Sequence, residues 1–344
     1  MDADGLWEQG YTGDGTVIAV LDSGLNTDHE AFADASLMES PALSREDVAE
    51  FARKGGTKGR YVSQRIPFAY DYYSRDDDVA TTNNHGTHVT ALAAGYVKDR
   101  AGHVTFRGAA PAAQILSMKI FPNGSGGGTD DTIILRALED AWNLGADVVN
   151  LSVGTGAGFS ASDTMDGIYC RAFTQMARSG VLICCAAGNS AASVQSKTWG
   201  QPLPSGGYTD YGSVCSPGSF YGALAVAAAS RTEDGTAAIA DYSAWGPGSG
   251  LHLTPALTAF GGPVTSAGAS SNQQYRSDEG TSMASPYAAG SFAVLLQSLR
   301  EQGVTDKQEA AALAQSLLAS RSRLLTENGL PVSPRRQGAG FLDL

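Results

Sequence analysis

Nowhere among its 344 residues does the chain hold the roughly 20 consecutive apolar residues that a membrane-spanning helix requires. Its first residues, Met1-Asp2-Ala3-Asp4-Gly5, are acidic and polar, whereas a secretion signal starts basic and continues apolar. Positive charge is scarce: 23 Lys and Arg against 35 Asp and Glu leave a formal net charge of −12. That balance argues against nucleic acid as a partner, since phosphates are held by basic side chains. It reads as a solubility feature before a lure for cationic substrates. Only four cysteines occur, Cys170, Cys184, Cys185 and Cys215, with no Cys-x-x-Cys and no metal-type spacing. Cys184 and Cys185 sit in the apolar run Val181–Ala187 and are expected to be small buried hydrophobes on opposite faces of a strand. A Cys170–Cys215 bridge is left open.

Glycine, by contrast, is plentiful at 42 residues, as a chain with many turns and close backbone approaches requires. Length alone would allow two domains, but α/β domains often run this long. One domain over residues 1–344 is expected, with 1–15 as an N-terminal arm and 305–344 as a C-terminal helix and closing segment. There are no internal repeats. Buried-strand runs alternate with helical patterns. Thr16–Leu21, Gln114–Phe121, Asp147–Val153, Val181–Ala187 and Tyr221–Ala229 read as strands, and Ile66–Tyr73 as an extended aromatic segment. A helix capped at Thr129-Asp130-Asp131 runs to about Leu144, with Ile133, Ile134, Leu138, Ala141 and Trp142 at helical spacing. Further helices are expected around Gly167–Ser179 and from Thr305, as cap, to Ala319. Strands alternating with helices imply a mainly parallel sheet covered on both faces, an α/β fold. Gly13-Asp14-Gly15 precedes its strand, so it is a poor dinucleotide fingerprint.

Three segments carry chemistry. Gly280-Thr281-Ser282-Met283-Ala284-Ser285-Pro286 opens an alanine-rich helix, with Ser282 in its first turn and Pro286 early enough to be tolerated. A serine there commonly caps the helix. Asp22 ends the run Thr16–Leu21, where open α/β sheets place ligands, although Asp22-Ser23-Gly24 is also a turn-forming sequence. His85 begins the small-residue helix after Asn84. A serine hydroxyl needs a base, and a base needs an orienting acid. Of five histidines, His29, His103 and His252 lie in polar loop contexts, and His88 reads as a structural histidine beneath His85. The chain order Asp22, His85, Ser282 is one of the known triad orders.

With Val20-Leu21-Asp22-Ser23-Gly24, His85-Gly86-Thr87-His88-Val89, Ala186-Ala187-Gly188-Asn189 and Gly280–Pro286 in that order, the chain resembles the subtilisin-like serine peptidases. Its closing segment, Arg335–Phe341, resembles that of the larger cell-envelope members. The resemblance implies a three-layer α/β/α sandwich and a serine endopeptidase acting through Asp22, His85 and Ser282, with Asn189 as the oxyanion donor. It implies that Ser152, Val153, Gly154, Ala187 and Gly188 line the first specificity pocket. Gly126, Gly127 and Gly128 would form a second edge that holds a substrate as an added strand. The bland reading of those glycines is a flexible linker, and Thr155, where many relatives carry glycine, leaves the shape of the pocket open. The resemblance further implies a mature segment cut from a longer chain, located outside the cell or in its envelope, with the cytoplasm as the alternative. A protease-associated insert is not expected, because only 93 positions separate Asn189 from Ser282 (282 − 189).

No cofactor is expected for the chemistry, and no metal ligand is assigned. A structural calcium ion at Asp76-Asp77-Asp78 is the lesser reading against a solvated acidic turn. The loop Val97–Gly102, where relatives often bind calcium, carries two cations and few oxygen ligands. Expected partners are protein or peptide substrates, with no nucleic acid and a monomeric chain. The rival readings are a subtilisin-fold binding protein without catalysis and an α/β-hydrolase esterase. The latter lacks its Gly-x-Ser-x-Gly turn.

Overall fold

The structure, a computed structural model, describes residues 4–124, 127–157, 167–191, 212–248 and 251–342. Its apolar runs become strands β1 (Val17–Asp22), β2 (Phe68–Asp71), β3 (Gln114–Lys119), β4 (Val148–Leu151), β5 (Leu182–Ala186), β6 (Leu224–Arg231), β7 (Ala237–Ile239) and β8 (Leu257–Phe260). They join in the order β7–β6–β5–β4–β1–β3–β2, and β8 also pairs with β6. Every pairing is parallel except β6 with β7. Parallel neighbours need long crossovers, and helices supply them. The principal helices are α1 (Asn84–Ala94), α2 (Asp131–Asn143), α3 (Ile168–Arg178), α4 (Thr281–Glu301) and α5 (Lys307–Arg321).

Both faces of the sheet are buried. Ile18 and Val20 of β1 join the core that holds residues of α1, α4 and α5, while Val17, Ala19 and Leu21 join the one under α2 and α3. This alternation is the strand period of two, and it gives the expected three-layer α/β/α architecture. β1 lies between β3 and β4. The chain leaves β1 for β2 and β3 on one side and returns to β4 on the other. Such a switch point opens a crevice at the C-terminal ends of the strands, and Asp22 is the last residue of β1.

Several local expectations shift. α5 is capped by Asp306, whose side chain accepts the Glu309 amide, and not by Thr305. Both residues can cap, and the neighbouring carboxylate takes the role. α4 begins at Thr281, so Pro286 is its sixth residue and lies beyond the first turn. All four cysteines are buried thiols outside any disulfide, so Cys170 and Cys215 form no bridge. His29 is fully buried, where polar loop surroundings were expected. The N-terminal arm packs through Trp7, whose Nε1 donates to Ala109 O at 3.0 Å and whose ring carries the Arg107 guanidinium at 3.6 Å. No helix among the described residues is long and apolar enough to cross a membrane.

Candidate active site

Asp22 is 2% exposed at the C-terminal edge of the sheet. Its Oδ1 accepts the Ser23 amide at 2.6 Å, the local turn bond that Asp-Ser-Gly favours, and also faces His85 Nδ1 at 2.8 Å. Turn and partner therefore coexist on one oxygen. A carboxylate only accepts, so Nδ1 carries the proton and Nε2 keeps the lone pair. His85 enters α1 one turn-residue after Asn83, whose side chain accepts the His85 amide at 3.0 Å. Gly86 lets this helix end approach Asp22. A Cβ there would stand 2.2 Å from Gly24 O and 3.1 Å from Asp22 Oδ1. Ser23 Oγ ties the two elements together by accepting the Gly86 amide at 3.0 Å.

Burial opposes a charge on His85, but the Asp22 carboxylate outweighs it through its charge and its hydrogen bond, with Asp278 adding to the effect. The pKa of His85 is therefore raised above the ordinary 6.5. His88 behaves oppositely. Its ring is buried, with Nε2 3.2 Å from Arg276 O, and burial pulls its pKa down to about 4. It stays neutral at physiological pH, as a structural histidine would.

Ser282 is the second residue of α4 and does not cap it. The cap position is Gly280, which offers no side chain. The Ser282 hydroxyl donates instead to Ser152 O at 3.1 Å, at the end of β4. A chain of hydrogen bonds fixes α4 on that strand. Ser285 Oγ donates to Asn150 Oδ1 at 2.7 Å, Asn150 Nδ2 donates to Ser152 Oγ at 3.0 Å, and Ser152 Oγ donates to Ser282 O at 2.7 Å. The last bond has a local cause. Pro286 has no N–H for the carbonyl four residues back, which is that of Ser282, and the Ser152 hydroxyl takes the vacant place.

Asn189 is exposed just beyond β5. Its Oδ1 accepts both the Thr281 amide and the Thr281 hydroxyl, each at 2.9 Å. Because a main-chain N–H can only donate, the oxygen must face Thr281, which leaves Nδ2 facing away. The Thr281 hydroxyl in turn accepts the Gly188 amide at 2.9 Å. Among the described residues the Ser282 amide makes no hydrogen bond. Among the described residues two N–H groups, Asn189 Nδ2 and Ser282 N, are thus left without an acceptor at the N-terminus of the helix that carries the Ser282 hydroxyl.

The expected substrate-binding residues fall in two places. Ser152, Val153 and Gly154 continue from β4, and Ala187 and Gly188 continue from β5. Cys215 joins them: its amide donates to Ala187 O at 2.9 Å, and its side chain packs against Gly154 and Gly188. Gly127 and Gly128 lie in an irregular stretch before α2, and Gly126 is outside the described residues. Among the described residues no group of three or more His, Cys, Asp and Glu side chains could hold a metal ion. In the acidic turn, Asp76 Oδ1 accepts the Asp78 amide and Asp78 Oδ1 accepts the Ala80 amide, each at 3.0 Å.

Three residues escape a reading by motif. Thr281 orients Asn189, and its only sequence signal is its place before Ser282. Lys119 and Asp71 form a fully buried ion pair beside Asp22. Their signal is a charge interrupting each of two largely apolar runs, Gln114–Phe121 and Ile66–Tyr73.

An acid, a base and a hydroxyl at the C-terminal edge of a parallel sheet, with donors beside the hydroxyl, are the ingredients of a serine hydrolase. The chain belongs to the subtilase family, peptidase family S8, whose pattern it matches over residues 13–340. It is similar to the PIII-type proteinase of Lactococcus lactis subsp. cremoris (strain SK11), 34% identical over 253 residues, covering 71% of this chain and 12% of that protein. It is also similar to the C5a peptidase of Streptococcus pyogenes serotype M6, 33% identical over 243 residues, covering 69% of this chain and 20% of that protein. The chain therefore spans a small part of these curated relatives. Among solved structures, the S41 psychrophilic protease superposes with a TM-score of 0.68 at 26% identity, covering 97% of this chain and 92% of that one. Family membership makes this a serine-peptidase domain.

Proposed function

We propose that the domain is an endopeptidase that cleaves protein substrates through an acyl-enzyme on Ser282. The observation that carries the reading is the buried Asp22 carboxylate 2.8 Å from His85 Nδ1. It fixes the tautomer in which Nε2 can take a proton, and it stabilises the imidazolium that results. The Ser282 hydroxyl turns about its Cα–Cβ bond from Ser152 O to donate to His85 Nε2. Such bonds often tighten only when substrate is present. As Oγ attacks the peptide carbonyl, its proton passes to Nε2. The Ser282 amide and Asn189 Nδ2 then hold the oxyanion, where charge develops only in the transition state. Collapse breaks the C–N bond, Nε2 protonates the departing amine, and a water molecule activated by the same nitrogen releases the acyl group.

The substrate lies as an extended strand against Ser152–Gly154 on one side and Gly126–Gly128 on the other. The resemblance to cell-envelope subtilases supports a location outside the cytoplasm. A fluorophosphonate reagent tests the chemistry. It should label the parent on Ser282, and Ser282→Ala should lose both label and peptidase activity with an unchanged melting temperature. A folded parent that takes no label and cleaves no denatured protein would leave the domain as a binding protein.

A further inference from the structure

Three charged residues end three adjacent strands in register: Asp71 of β2 opposite Lys119 of β3, and Lys119 opposite Asp22 of β1. Registered residues of parallel strands face the same side. Ala69, Ile115 and Val20 of these strands all belong to the core of α1 and α4. Asp71, Lys119 and Asp22, at even spacing from them, therefore face the side from which His85 descends. Lys119 is 0% and Asp71 1% exposed. Burying an ion pair is weak support for a fold, because apolar residues of similar volume often serve as well. The placement of this pair asks for another account.

The ammonium donates to Asp71 Oδ2, and among the described residues Asp71 is its one hydrogen-bond partner. Asp71 is fixed in place, since its Oδ1 accepts the Tyr73 and Ser74 amides, each at 2.9 Å. On the neighbouring strand Asp22 Oδ2 is buried with no hydrogen-bond partner among the described residues. A buried cation with spare donors thus stands one strand away from a buried carboxylate oxygen with spare lone pairs, and the two are not joined. The stem of Lys119 also runs beneath the turn that follows Asp22. Gly24 has φ +111°, and a Cβ there would lie 2.8 Å from Lys119 Cδ and 2.5 Å from Val79 O.

We propose that Lys119 and Asp71 are positioning residues for Asp22: the stem of Lys119 braces the Asp22–Gly24 turn, and Asp71 holds the ammonium away so that Asp22 stays committed to His85. The inference rests on the proposed peptidase reading. Removing Asp71 frees the ammonium to compete with His85 for Asp22, which disfavours the imidazolium. Removing Lys119 leaves the Asp71 charge uncompensated and favours the imidazolium. The other titratable groups felt by His85 are Asp278 and His88, and they are untouched in either case.

The test measures kcat/KM of a peptide substrate from pH 5 to 9 for the parent, Asp71→Asn, Lys119→Met and the double variant, with melting temperatures alongside. In the parent the acid limb should have its midpoint above 6.5, because Asp22 raises the pKa of His85. Asp71→Asn should move it down by at least about 0.5 pH unit and lower the plateau kcat about tenfold or more. Lys119→Met should move it up by a similar amount, and the double variant should return it to within about 0.2 unit of the parent. Midpoints that stay put, or that move the same way in both single variants, would overturn the proposal. If Lys119→Met does not fold, Asp71→Asn and the double variant, which removes both charges of the pair, decide the matter. The His85 ring-proton titration, followed by NMR in the Ser282→Ala background, reads the same shifts without any turnover. A parent without peptidase activity therefore counts against the proposed function, whereas absent NMR shifts count against this inference alone.

Discussion

The Ser152 hydroxyl stands in for an amide that Pro286 lacks, and that substitution of roles can be measured. Ser152 Oγ donates to Ser282 O at 2.7 Å and accepts from Asn150 Nδ2 at 3.0 Å. Ser152 is 3% and Asn150 0% exposed, so bulk water cannot replace the bond between them. Ser152→Ala strands the buried Asn150 amide and the part-buried Ser282 carbonyl. The buried Asn150 amide left unsatisfied costs about 1–3 kcal/mol and the part-buried Ser282 carbonyl about 1–2 kcal/mol, so the loss should be about 2–5 kcal/mol. In a Pro286→Ala background the restored amide can bond the Ser282 carbonyl in the ordinary helical way. Ser152→Ala then strands only the Asn150 amide and should cost about 1–3 kcal/mol. The coupling between the two positions is thus expected at about 1–2 kcal/mol, while propensity and unfolded-state effects of losing the proline cancel in the cycle. Urea unfolding of the four proteins gives the number. All four should carry Ser282→Ala to prevent self-digestion, a change that leaves the main-chain oxygen in place. If Ser152→Ala costs the same in both backgrounds to within about 0.3–0.5 kcal/mol, the hydroxyl is not substituting for the missing amide.

Asn189→Ala should lower kcat by about 10²–10³-fold with KM nearly unchanged, a magnitude carried over from subtilisin itself, while leucine should behave like alanine and aspartate at least as badly. A raised KM at normal kcat would make Asn189 a substrate-positioning residue instead. Gly86→Ala should separate His85 from Asp22, because its Cβ would meet the Gly24 main-chain oxygen at 2.2 Å. Peptide turnover should fall at least about a hundredfold and stability by about 1–3 kcal/mol, and near-parent turnover would show that the helix can shift without opening the Asp22–His85 bond.

Asp22, His85 and Ser282 were legible because each stands where one local pattern gives way to another: an apolar run ending in a turn, or a turn opening a small-residue helix. The sheet was legible for a related reason, since buried strands must be apolar on both faces and the crossovers must be helical. What escaped is set by register, which no single segment carries. Lys119 reads as an interruption in Gln114–Phe121, and Asp71 as one in Ile66–Tyr73. Only the pairing of β2 with β3 puts them opposite each other, and only the pairing of β3 with β1 puts Lys119 opposite Asp22. Pro286 shows the same limit within one helix. Its position in α4 depends on where the helix starts, and that start is fixed by Gly280 and by the bond between Thr281 and Asn189, ninety-two positions away. Yet each of these residues leaves a local trace that physics can use. A lysine that closes an apolar strand must find a carboxylate, because burying it alone is prohibitive. A proline past the first turn orphans a carbonyl that something must satisfy. Such traces say that a partner exists, and the fold says which one. In this chain both searches end at the same edge of the sheet, around Asp22 and Ser282. The groups that satisfy the strands and helices there are also the groups that hold the acid and the hydroxyl in place.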